Sequence, residues 1–205
     1  MGCIEGRADT EEQLKEAEAN LGFKDLPVDL INTTMRKYSF RSKINQAQLE
    51  RINYQLKLSI VPPNFYVQAF LNSLRKSDGT FSLREFLVLG VLLGKGLSEE
   101  KASIMYQIFD EMLEDSIERN RLTGEVFKTI SKISIEITPH LIKHNKEYIT
   151  KLLEKQSMTI KSVINRFPEN LIVCNEKDFI KYMCFIENGN LLTTSGWRAY
   201  SFTLP

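Results

Sequence analysis

Long apolar runs are missing from this chain. None reaches about 18 residues, so no segment is expected to cross a membrane as a helix. Cysteine is scarce: Cys3, Cys174 and Cys184 are the only three, and no two have CxxC spacing. That excludes a disulfide framework and points to reduced thiols in the cytosol. Histidine is rarer still, with His140 and His144 alone, read as surface residues rather than metal ligands. An excess of one charge is also absent. The 27 basic and 26 acidic residues leave a net charge of +1, which offers no general field for nucleic acid or an acidic substrate. No GxGxxG, GxxxxGK[ST] or GxSxG signature occurs. Cys174 and Cys184 have no basic neighbour to activate them. The chain is therefore expected not to be an enzyme.

A secretory leader is not expected either, because the start turns acidic at Asp9, Glu11 and Glu12. The opening Met1-Gly2-Cys3 instead suggests lipidation: a myristoyl group on Gly2 and a palmitoyl group on Cys3. Two chains matter, since a single myristoyl group binds membrane only marginally. Gly6 stands where the usual pattern has Ser or Thr. Two alternatives stay open: Ile4-Glu5-Gly6-Arg7 as a protease-site remnant, or a chance Met-Gly start.

What the chain does have is a proper core and a repeat. Its 205 residues are 42% hydrophobic, enough for one or two domains. Four polar–apolar–polar pivots recur between helix-like segments: Lys43-Ile44-Asn45, Thr80-Phe81-Ser82, Arg121-Leu122-Thr123 and Thr159-Ile160-Lys161. Their centres are 37, 41 and 38 residues apart, which signals a repeated helix–loop–helix unit. Leu49, Ile52 and Leu56 share a helical face, and 86–93 is apolar nearly all round and belongs deep in a core. Gly94-Lys95-Gly96 reads as the hinge between halves, with Ser98 as the next helix cap. Thr138-Pro139 reads as another helix start. Asn175 and Asp178 look like a capping pair, and Glu187-Asn188-Gly189-Asn190 is a stop. From Leu191 onward the segment reads as a small hairpin at Ser195-Gly196 or as a docked tail.

The run Ser77-Asp78-Gly79-Thr80-Phe81-Ser82-Leu83-Arg84-Glu85-Phe86 resembles the back half of an EF-hand loop. The resemblance extends over about residues 26–170. It implies an all-α fold: two pairs of EF-hand-like helix–loop–helix units, an N-terminal helix, and a C-terminal helix plus tail. The implied divisions are an N-terminal segment 1–25, a first pair 26–95, a second pair 96–170 and a terminal segment 171–205. It also implies that Ile44 faces Phe81 and Leu122 faces Ile160 across short antiparallel bridges.

Such a loop binds calcium through oxygens at positions 1, 3, 5, 7, 9 and 12. In the second loop these include Asp78, Thr80, Ser82 and Glu85, but positions 1 and 3 fall on Leu74 and Lys76. The first loop has Lys37 at position 1 and Gln48 at position 12, and the third has Arg119 and Val126 at positions 5 and 12. No metal is expected; if one binds, Asp78, Thr80, Ser82 and Glu85 would hold it. The lipid start and the loops together resemble the neuronal calcium sensors and calcineurin B-like proteins. That resemblance implies a non-catalytic adaptor without cofactor, gripping an amphipathic helix of a partner protein in an apolar groove. Met105 and Met112 suit such a groove, or simply the core. Three alternatives remain: a calcium sensor using the Asp78–Glu85 loop, a structural component of a cilium or the cytoskeleton, and an all-α domain unrelated to EF-hands. The expected location is cytoplasmic, membrane-associated through lipid, or ciliary.

Overall fold

Side-chain caps and apolar spacing set the frame of a mostly helical, all-α fold. The computed structural model describes residues 2–110, 115–143 and 146–205, the first five by backbone alone. Helix α1 (Gly2–Ala19) is largely polar and buries Thr10, Leu14 and Glu18. Helix α2 (Val28–Tyr38) starts after Pro27 and turns Val28, Ile31 and Met35 inward. Strand β1 (Lys43–Ile44) leads to α3 (Gln46–Leu56), which begins with a reciprocal cap. Asn45 Oδ1 accepts from the Gln48 amide at 2.9 Å, and Gln48 Oε1 accepts from the Asn45 amide at 2.8 Å. Helix α4 (Phe65–Leu74) is capped by Asn64, whose Oδ1 accepts from the Val67 amide. Strand β2 (Phe81–Ser82) runs into α5 (Leu83–Leu93), which is buried at Leu83 and from Phe86 to Leu92. Gly90 lets α2 come close: a Cβ there would lie 2.5 Å from Ile31 Cγ2.

The junction at 94–96 is tied down. The Val28 amide donates to Lys95 O, and the Lys95 amide donates to Leu26 O. Helix α6 (Ser98–Phe109) comes next, and its cap position is Leu97 rather than Ser98. Glu100 reaches back to accept from the Leu97 amide at 3.2 Å, and Ser98 becomes the first helical residue.

Strand β3 (Ile117–Glu118) opens a continuous helical run, 119–141. It comprises α7 (Arg119–Arg121), a π turn (Leu122–Phe127), α8 (Lys128–Ser131), a second π turn (Lys132–Ile137) and a 3₁₀ turn (Thr138–Leu141). Each π insertion rotates the next stretch of helix around the axis. Ile133 and Ile137 thus enter the main core, while Ile135 joins a smaller cluster of Leu14, Ile142, Tyr148 and Leu152. Thr138-Pro139 opens the 3₁₀ turn, not a full helix. Helix α9 (Lys146–Ile164), strand β4 (Val173–Cys174) and α10 (Glu176–Phe185) complete this half.

Two antiparallel bridges join the loops. Ile44 lies opposite Phe81 in the first. In the second, Ile117 lies opposite Cys174. The expected pairing of Leu122 with Ile160 does not exist, because Leu122 sits in the first π turn and Ile160 inside α9. The reason is local. Ser116-Ile117-Glu118 carries the same polar–apolar–polar pattern five residues earlier. The stretch around Thr159-Ile160-Lys161 comes after strong helix formers, and no breaker appears before Pro168. The helix leaving the fourth loop is therefore α10, placed beyond the expected boundary at 170.

The tail is not a hairpin. A 3₁₀ turn (Ile186–Leu192) has left-handed backbone at Glu187, Asn188 and Gly189. It leads into α11 (Thr194–Thr203), where Thr193 Oγ1 accepts from the Gly196 amide. Trp197 and Tyr200, three apart, face inward.

Lys101 is buried at the seam between halves and tail. Its ammonium donates to Leu92 O at 3.4 Å and Leu192 O at 3.3 Å. Burial pulls its pKa down from 10.5 to about 8. Between those values the unfolded chain holds the extra proton, so stability rises as pH climbs from 8 toward 10.5. Lys101→Met is expected to remove that rise, worth up to about 3 kcal/mol, and to be more stable than the parent at pH 7. Urea unfolding of both chains at pH 7 and across the alkaline window measures it.

Candidate functional site

The second loop reaches its turn through Gly79, at φ +79°. Equivalent left-handed residues stand two before the bridge centre in the first loop, Ser42, and in the third, Asp115. In the second loop Asp78, Thr80 and Glu85 are all engaged with partners in the chain. Asp78 Oδ2 meets the Lys43 ammonium at 2.6 Å, reaching across from β1. Asp78 Oδ1 accepts from the Thr80 amide at 3.0 Å and the Thr80 hydroxyl at 2.6 Å. Those bonds, Lys43 first, hold its carboxyl well below the usual carboxylate range. Glu85 turns away to Lys132 Nζ, at 2.7 Å. Ser82 stands at the start of α5 and makes no cap bond. Arg75 closes the turn, donating to Gly79 O and lying over the Phe81 ring.

With Ile117 as its bridge residue, the third loop has Asp110 at position 1 and Arg121 at position 12. Arg121 donates to Phe109 O at 2.9 Å and pairs with Glu125. Arg119 ties the same loop to the end of α9 through Pro168 O at 2.5 Å and Ile164 O at 3.3 Å. The fourth loop, centred on Cys174, has buried Phe167 at position 1. This donor set does not suit a divalent cation. In the second loop Asp78 and Glu85 are each already paired with an ammonium group, and in the third a guanidinium stands where position 12 supplies a carboxylate. Among the described residues no group of three His, Cys, Asp or Glu side chains could hold a metal.

The other candidates divide. Gly2 begins α1, and the Cys3 side chain lies outside the described residues. Met112 and His144 also lie outside them. Met105 is fully buried core, and His140 sits in the 3₁₀ turn after the second π turn. Burial, then Asp178, pushes the Cys174 thiol up to about 12, and burial with Glu99 raises that of Cys184. Both are poor nucleophiles.

Of the two readings of the tail, the docked one holds; what sequence reasoning missed is the set of residues that dock it. Helix α11 lies against α9 and the second π turn. Trp197 is fully buried, donates from Nε1 to Leu191 O at 2.7 Å, and packs on Phe127, which in turn packs on Phe167. Ser201 accepts from Thr159 at 3.0 Å, Tyr200 and Ser162 share a hydrogen bond, and Lys155 donates to Leu204 O. Arg198, also fully buried, closes the arrangement onto α1. It meets Glu18 at 2.7 Å and Glu11 at 3.0 Å, and donates to Thr138 Oγ1 and Ser134 O. Tyr148 adds a hydrogen bond to Glu11. Burial pulls the Arg198 pKa down, but Glu18 and Glu11 outweigh it and hold the guanidinium firmly charged. Glu11 and Glu18 are two turns apart on one helix face. That spacing was the only available signal, and nothing in it named residue 198. Compared with family models, curated proteins and solved structures, the chain finds no match in any of the three.

Proposed function

We propose that the chain is a non-catalytic, calcium-independent adaptor built from two pairs of EF-hand-like units. The observation that carries this reading is the pairing of Asp78 with Lys43 and of Glu85 with Lys132. Lysines bonded to the loop carboxylates fix the unit without a metal. The helix–bridge–helix order and the two antiparallel bridges support the EF-hand-like part. The groove a partner helix would use is the one α11 occupies, so the partner competes with the chain's own tail. Such a partner would carry an aromatic anchor in place of Trp197, on an amphipathic helix.

Calcium titration of the whole chain, followed by Trp197 emission and by calorimetry, is expected to give no saturable signal at micromolar levels. Saturable uptake that disappears in Glu85→Gln would replace this reading with a calcium sensor. Cross-linking with mass spectrometry on the native complex tests the groove: the partner helix is expected to attach to Lys155 and Lys161, on α9. Detergent extraction of native material distinguishes a lipid-anchored adaptor, which is released, from a fixed strut of a cilium, which is not.

A further inference from the structure

A second cavity, away from the tail, lies where the third loop meets the start of α10. It holds about 450 Å³ and is lined by Tyr106, Asp115, Asn175, Glu176, Lys177 and Ile180. Tyr106 is 2% exposed, and its hydroxyl has no hydrogen-bond partner. Buried hydroxyls are nearly always paired, so an orphan in a cavity wall marks a place where a polar guest is wanted. The phenol is pushed up to about 12, by burial first and then by Asp110, Cys174, Asp115 and Glu176. It therefore stays neutral, with carboxylates in electrostatic reach. Glu176 is set in place from α6: its Oε1 accepts from Ser103 Oγ at 2.5 Å and Gln107 Nε2 at 3.3 Å.

We propose that this cavity receives a protonated basic side chain, lysine or arginine, presented by the partner polypeptide. Two carboxylates and a phenol oxygen offer acceptors, and a lysine ammonium brings three donors and no acceptor. The lining carries two carboxylates and one ammonium, that of Lys177, so the wall is net acidic. The chain leading into the cavity is apolar and open to solvent: Ile172 is 81% exposed and Val173 48%. A segment with a basic residue beside apolar ones matches both features. The identity of the guest as part of a partner rests on the adaptor reading; the cavity's preference for cations does not.

The test uses small probes, so its outcome is separate from the fate of that reading. The whole ¹⁵N-labelled chain is titrated at low salt with N-acetyl-lysine amide, N-acetyl-arginine amide and the neutral N-acetyl-glutamine amide. Saturable shifts confined to Tyr106, Asp115 and residues 175–180 are expected with the two cations only. Asp115→Asn, which keeps a residue tolerant of left-handed backbone, is expected to weaken binding about tenfold, a loss typical of a charged hydrogen bond. Tyr106→Phe is expected to weaken it likewise while leaving the free chain at least as stable, because the lost hydroxyl had no partner. Lys177→Ala is expected to tighten it. Failure to saturate at the solubility limit of the probes, equal shifts with the neutral probe, or undiminished binding in Asp115→Asn overturns the proposal.

Discussion

Arg198→Met is expected to cost about 3–5 kcal/mol, the range for breaking a buried ion pair from one side. The guanidinium is fully buried, and Glu18 and Glu11 beside it are 6% and 16% exposed at the side chain. Removing the cation leaves two buried carboxylates without their charged partner. Urea unfolding of both chains at pH 7 measures the loss. The triple variant Glu11→Gln, Glu18→Leu, Arg198→Met is expected to regain most of the loss, since replacing a whole buried charge cluster by neutral groups is often close to neutral. Hydrogen exchange on Arg198→Met is expected to show α1 and α11 losing protection together. Loss confined to α11 would mean that the cluster does not couple the two helices.

The second large effect is expected at Trp197→Ala. Truncating a fully buried tryptophan costs about 3–5 kcal/mol, and here the indole hydrogen bond to Leu191 O and the contact with Phe127 go with it. The loss is expected to fall on the tail first, because Trp197 is the largest side chain that α11 buries. Trypsin cleavage after Arg198, blocked while that residue is buried, is expected to become fast before the rest of the chain is cut. If the tail competes with a partner helix, the same variant binds that partner more tightly despite its lower stability. Weaker binding would mean that α11 helps to build the docking surface instead of occupying it.

The first half of the molecule was nearly all legible. Asn45 with Gln48, Asp78-Gly79 and the apolar run 86–93 are local signals, and each acts within a few residues of itself. The second half misled where two local patterns competed. Ser116-Ile117-Glu118 and Arg121-Leu122-Thr123 both look like loop pivots, and only pairing with the distant Val173-Cys174 chose between them. Thr159-Ile160-Lys161 had the right spacing, but the helix-forming sequence before it prevailed. The site was harder still. That Lys43 would neutralise Asp78 across 35 positions, or that Lys132 would take Glu85 across 47, is a matter of topology. Ser195-Gly196 suggested a turn, and Trp197 and Tyr200 on one face of a capped helix overrode it.

The clasp between Glu11 and Arg198 joins residues 187 positions apart. Ordering so long a segment of chain carries a closure entropy that nearby contacts do not. During synthesis α1 is made well before α11. Until α11 follows, Glu11 and Glu18 have no Arg198 to pair with and stay hydrated. The clasp therefore forms late in the life of a newly made molecule, after both halves that lie between its two ends.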